Sequence, residues 1–107
     1  MKRAITLSAL VLPLMLGACA WVKTTDSGEK VRVLEAREAA QCRHLGSTTV
    51  SVADRIAGIP RNEGRVQTEL QVIARNSGAE MGGDTVVPVT PIEDGRQTYE
   101  VYRCVNQ

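Results

Sequence analysis

"NEGRVQTELQVIARNSGAEMGG", residues 62–83, is the stretch whose reading decides the fold. Val66, Leu70, Ile73, Ala74, Ser77 and Met81 recur at spacings of 4, 3, 1, 3 and 4, which draws one apolar stripe down a helix. Arg65, Gln67, Glu69, Gln71, Arg75 and Glu80 mostly lie off that stripe. Asn62 offers a side-chain oxygen to the first free amides, and Glu63 suits the positive end of the helix dipole. Gly82 and Gly83 stop the helix, because glycine accepts left-handed backbone. The pattern predicts a helix over 63–81.

Strands flank it. "DTVVPV", 84–89, is entered directly from the helix. Pro88 and Pro91 lack the amide a ladder needs, which predicts an irregular or edge strand. Asp94-Gly95 is a strong hairpin signal, and "QTYEVYRC", 97–104, is the returning strand. Either face of that strand could be the buried one, with Tyr99 and Val101 on one and Tyr102 and Cys104 on the other. Upstream, "KVRVLE" at 30–35 reads as a short strand and "AREAAQC" at 36–42 as a turn or partial helix. "STTVSV" at 47–52 reads as a second strand, with Thr48, Val50 and Val52 on one face, and "AGIPRNEG" at 57–64 as a loop. The order β-β-α-β-β predicts a small two-layer α+β domain, one helix packed on a short-stranded sheet.

Composition narrows the class. The chain has 107 residues, 13 basic and 12 acidic, so it offers no electrostatic footprint for nucleic acid. It has no Phe, one Trp and two Tyr, so the core must come from Val, Ile, Leu and Ala. A domain this small often needs a covalent staple.

The N-terminus reads as an export signal. Lys2 and Arg3 form a positive n-region, Ala4 to Met15 an apolar run, and Leu16-Gly17-Ala18-Cys19 a small-residue processing site. The run is about a dozen residues, against the roughly 20 that a membrane span requires. The last four residues resemble a bacterial lipobox. That resemblance implies a cleaved signal peptide over 1–18 and lipidation at Cys19, by a diacylglyceryl group on the thiol and an acyl (palmitate) chain on the new amine. Ala20, rather than Asp, implies sorting to the outer membrane, with the domain facing the periplasm. Residues 19–29 read as lipidated N-terminus and tether, and 30–107 as the domain. Trp21 is either a headgroup-level residue or an exposed part of the tether.

Removing Cys19 from the count leaves Cys42 and Cys104 as an expected disulfide. Closing a loop of about 60 residues stabilises by roughly 4 kcal/mol on the chain-entropy model. The alternative is a metal-binding sensor in which Cys42, His44 and Cys104 act as ligands. No nucleophile motif, paired-carboxylate motif or phosphate loop accompanies the lone His44. The expectation is therefore a non-enzyme with no catalytic residues and no cofactor beyond the covalent lipid.

"LQVIARNSGAEMGGDTVV" at 70–87, "QCRHLG" at 41–46 and "YRC" at 102–104, together with the lipobox, resemble a family of small proteobacterial lipoproteins. That family, of unknown function, includes YjeI. The chain is similar, more distantly, to the outer-membrane stress sensor RcsF, whose domain carries more cysteines than the pair offered here. The resemblance implies a membrane-anchored envelope protein that binds or senses, with an envelope protein as partner, or a structural envelope component. Arg75 and Asn76 match the family motif. Asn76 is expected to bond backbone near the helix, and Arg75 to be solvated.

Overall fold

The computed structural model describes residues 23–105. Its strands are β1 (Arg32–Val33), β2 (Arg43–Ser51), β3 (Arg55–Ile56), β4 (Ile59–Pro60), β5 (Thr85–Pro88) and β6 (Arg96–Arg103), and helix α1 (Glu63–Glu80) lies between β4 and β5. Four strands form one sheet in the order β1-β5-β6-β2, with β1 parallel to β5 and the other pairs antiparallel. The main elements follow the expected β-β-α-β-β order, and α1 covers one face of the sheet. The stretch read as a loop at 57–64 instead holds half of a small ribbon, β3–β4.

Helix α1 begins and ends as its sequence dictates. The Asn62 side chain accepts the Arg65 amide at 2.9 Å. At the other end Gly82 takes a φ of 86°, its amide reaches the Ala79 carbonyl at 3.0 Å, and the Gly83 amide reaches the Gly78 carbonyl at 2.8 Å. These two bonds are the Schellman pair that satisfies the last carbonyls. The buried face runs Val66, Leu70, Ala74, Gly78, with Ile73 partly covered. It departs from the predicted stripe in its last turn. Met81 is exposed, and Gly78 takes the contact. A Cβ on Gly78 would fall 2.7 Å from Val86 Cγ1, so the helix approaches β5 more closely than any side chain allows.

The sheet contributes Val50, Val86, Tyr99 and Val101 to the core, and Val31 joins them just ahead of β1. This settles the face of β6: Gln97, Tyr99 and Val101 point toward α1 and are buried. Thr85 and Val87 alternate onto the opposite face of β5 yet are also buried, because the 3₁₀ turn Ala36–Ala39 packs there. Glu35 and Glu38 cap that turn reciprocally.

Two strand expectations change. Pro88 does not make β5 an edge strand, since β5 lies between β1 and β6. β1 pairs only with Thr85 and Val86, and the Val89 amide bonds β6 while Leu34 bonds the Val86 carbonyl. By that alternation the nitrogen of Pro88 points to the side where β1 has already ended, so its missing hydrogen costs no ladder bond. β2 starts at Arg43, four residues before the predicted start at 47. A register shift between His44 and Gly46 hides its alternation. Among the described residues no helix is long and apolar enough to cross a membrane.

Candidate functional site

The cysteine pair follows from strand register. Arg43 faces Arg103 in the β2–β6 ladder, so one further step brings Cys42 opposite Cys104. Their Cα atoms lie 4.5 Å apart and their sulfurs at bonding distance, 2.09 Å. Next to this staple, the Asp84 carboxylate collects the ends of two strands. It accepts the Cys104 amide at 2.8 Å, the Val105 amide at 2.9 Å and the Thr85 hydroxyl at 3.0 Å. Burial alone would raise the Asp84 carboxyl, but these donors, with Arg103 nearby, outweigh it and hold the group below the usual range. The Arg103 guanidinium also donates to the Gly82 carbonyl.

On the face of the sheet away from α1, β2 and β6 carry a polar patch. The Glu100 carboxylate accepts the Ser47 hydroxyl at 2.8 Å and pairs with Nε2 of His44 through its other oxygen. The Ser47 hydroxyl first, and His44 next, hold Glu100 below the ordinary glutamate range. The Tyr102 ring meets the His44 ring edge-on at 5.3 Å, and the Thr49 and Thr98 hydroxyls bond at 2.9 Å. Sequence spacing does not announce this cluster, because His44 and Glu100 are 56 residues apart. Its chemistry is that of a satisfied polar surface.

The proposed metal ligands are not assembled. Cys42 and Cys104 hold each other, and His44 turns its Nε2 to Glu100. Among the described residues no group of three or more His, Cys, Asp and Glu side chains is arranged to hold a metal ion.

Arg75 and Asn76 carry the least expected arrangement. Arg75 is only half-exposed and is bound to backbone: its Nε donates to the Val31 carbonyl at 2.9 Å and the Gly28 carbonyl at 3.2 Å, and one terminal nitrogen reaches the Glu29 carbonyl at 3.1 Å. Asn76 bonds backbone beside the helix as expected, and that backbone is 51 to 53 residues away in sequence. Its Oδ1 accepts the Thr25 amide at 2.9 Å and the Thr25 hydroxyl at 3.1 Å, and its Nδ2 donates to the Lys23 carbonyl at 2.9 Å. Thr25 in turn accepts the Gly28 amide at 2.9 Å. A Cβ on Gly28 would sit 2.2 Å from Asn76 Oδ1, so this close approach requires glycine. Residues 23–30, polar enough to be read as mostly tether, are thus laid along α1.

The opposite end of the molecule is more open. A groove of about 470 Å³ lies between the β3–β4 ribbon, the start of α1 and the turn before β6, lined by Arg55, Pro60, Glu63, Gly64, Val66 and Ile92 among others. Beside it Arg61 forms a two-pronged pair with Glu69, at 2.8 and 3.0 Å, and also donates to the Ala53 carbonyl. The pair holds Glu69 low and raises Arg61. In the core, the fully buried Tyr99 hydroxyl has no protein partner among the described residues, and burial pushes its pKa up to about 12.

A disulfide-stapled helix-on-sheet domain with a polar strand face is the class these features define. The chain belongs to the family described as a domain of unknown function, DUF4156, whose model matches residues 22–104. Neither the curated proteins nor the solved structures compared with the chain gave a match. Cys19, Trp21 and the signal-like segment lie outside the described residues.

Proposed function

We propose that the chain is a lipid-anchored envelope protein, attached through Cys19 to the outer membrane, with its domain facing the periplasm and acting as a non-catalytic binding or sensing module. On this reading it is one of the small proteobacterial lipoproteins related to YjeI. The observation that carries the proposal is the pairing of Cys42 with Cys104. An oxidised pair suits a compartment beyond the cytoplasm. It also leaves Cys19 as the odd cysteine, at the end of a charged-then-apolar segment, where a lipobox would place it. Two or three acyl chains, at about 0.8 kcal/mol per buried CH₂, give durable membrane attachment. The mutual hydrogen bonding of Glu100, Ser47 and His44 on an open strand face suits a recognition surface.

Intact mass spectrometry of the chain recovered from native membranes tests this. The expected species begins at Cys19, carries diacylglyceryl and N-acyl mass, and is lighter by two hydrogens for the bond between Cys42 and Cys104. A chain that keeps residues 1–18 and carries no acyl mass overturns the proposal.

A further inference from the structure

The hydrogen bonds of Arg75 and Asn76 fix where the chain leaves the domain. Lys23 is held by its own carbonyl to Asn76, and the backbone from Thr25 to Val31 is bound at several further points. We infer that this clasp shortens the leash, so that the Asn76 end of the domain is kept the nearer one to the phospholipid surface and the β3–β4 ribbon cannot take its place there. The inference rests on the lipid-anchor reading of Cys19 given above.

Chain lengths decide the matter. From Cys19 to Lys23 there are four residue steps, at most about 14 Å of fully extended chain whatever its conformation. Were the segment free through Lys30, eleven steps would reach about 38 Å. Asn62, beside the ribbon, and Asn76 lie fourteen residues apart along α1, or about 21 Å. The inverted orientation would put the ribbon on the lipid and lift the Asn76 end about 21 Å above it. A leash of about 14 Å cannot follow, whereas one of about 38 Å could. Covalent reach supplies the proximity, and no charge attraction is needed. Lys23 and Lys30 are balanced in this segment by Asp26 and Glu29.

The test uses the full chain, lipidated in cells and reconstituted into phosphatidylethanolamine–phosphatidylglycerol vesicles that contain a nickel-chelating lipid. A spin label is attached through a non-natural amino acid at position 26 or at position 57, leaving the cysteines untouched. Relaxation by the lipid-borne nickel is expected to be at least three-fold stronger at 26 than at 57. Inserting ten Gly/Ser residues between Val22 and Lys23 should bring the two rates together while leaving the clasp intact. Equal rates in the unaltered chain, or a ratio that survives the insertion, overturn the inference while the protein still floats with vesicles. A chain that neither floats nor carries acyl mass overturns the anchor reading instead, and this inference with it.

Discussion

At the end of the domain where α1 stops, β5 starts and β6 finishes, nearly every group is tied to something distant in sequence. Cys42 is bonded to Cys104, Asp84 gathers the amides of Cys104 and Val105, and Arg75 and Asn76 hold the backbone of residues 23–31. At the opposite end the chain turns back on itself. The β3–β4 ribbon is two residues long on each side and pairs only with itself, and its Ile56 and Ile59 are 62% and 67% exposed. This open end carries two two-residue turns with both central φ angles positive, Ala57-Gly58 in the ribbon and Asp94-Gly95 before β6. Asp tolerates that backbone through its short polar side chain, whereas Ala57 at φ 53° has no such help. The contrast teaches that cross-links are concentrated where the chain enters the domain, and that the far end, apart from the Val52–Gly95 bond, is tied locally and exposes two isoleucines.

The largest break in this contrast comes from removing the staple. Cys42→Ala together with Cys104→Ala should cost about 4 kcal/mol, on the entropy of a loop closed across 62 residues. The double change avoids leaving a lone thiol. Urea unfolding followed by far-UV circular dichroism measures it as a fall in midpoint, with a steeper slope because the unfolded chain without the cross-link exposes more surface. A loss below about 1 kcal/mol would mean that Asp84 and the clasp hold the strand ends without the sulfurs.

Asp84→Asn should come next, at about 2 kcal/mol near neutral pH, because an ionised acceptor of two amides and a hydroxyl is replaced by a neutral one. Its sign with pH is fixed. Asp84 titrates lower in the folded chain than in the unfolded one, so its contribution is fully present above about pH 4, the unfolded value. It is lost as pH falls further, through the folded value. The gap between wild type and Asp84→Asn should therefore close on acidification below about pH 4. Urea midpoints taken across that range provide the check. A gap independent of pH would show that the side chain acts by shape rather than charge.

How much of this was legible in the sequence differs between the two ends. Helix α1 was readable because its caps and apolar spacing are local signals, and so was the Asp94-Gly95 turn. The cysteine pair was readable by counting, since only the register of β2 against β6 was needed to bring it together. The clasp was not. Arg75 and Asn76 sit among the polar residues of a helix, and nothing in periodicity distinguishes a solvated arginine from one bound to carbonyls more than 40 residues away. Gly78 was hidden for a related reason: in a helical pattern a glycine reads as a weak helix former, while here it is the point of closest approach to β5. The start of β2 was masked by its bulge, and the β3–β4 ribbon by strands too short to alternate.

The smallest effect is expected at the open end. Ile56→Ser with Ile59→Ser removes two large apolar side chains, yet both are mostly in water already, so little burial is forfeited. Stability should stay within about 0.5 kcal/mol of wild type. The ribbon's backbone bonds are its own, and Arg61 holds its base through the Ala53 carbonyl and Glu69 without help from the isoleucines. The same urea unfolding measures this. A loss above about 1 kcal/mol would show that the ribbon folds down over the groove beside Val66 and Ile92 in solution, and the far end would then be a second packed region rather than a free one.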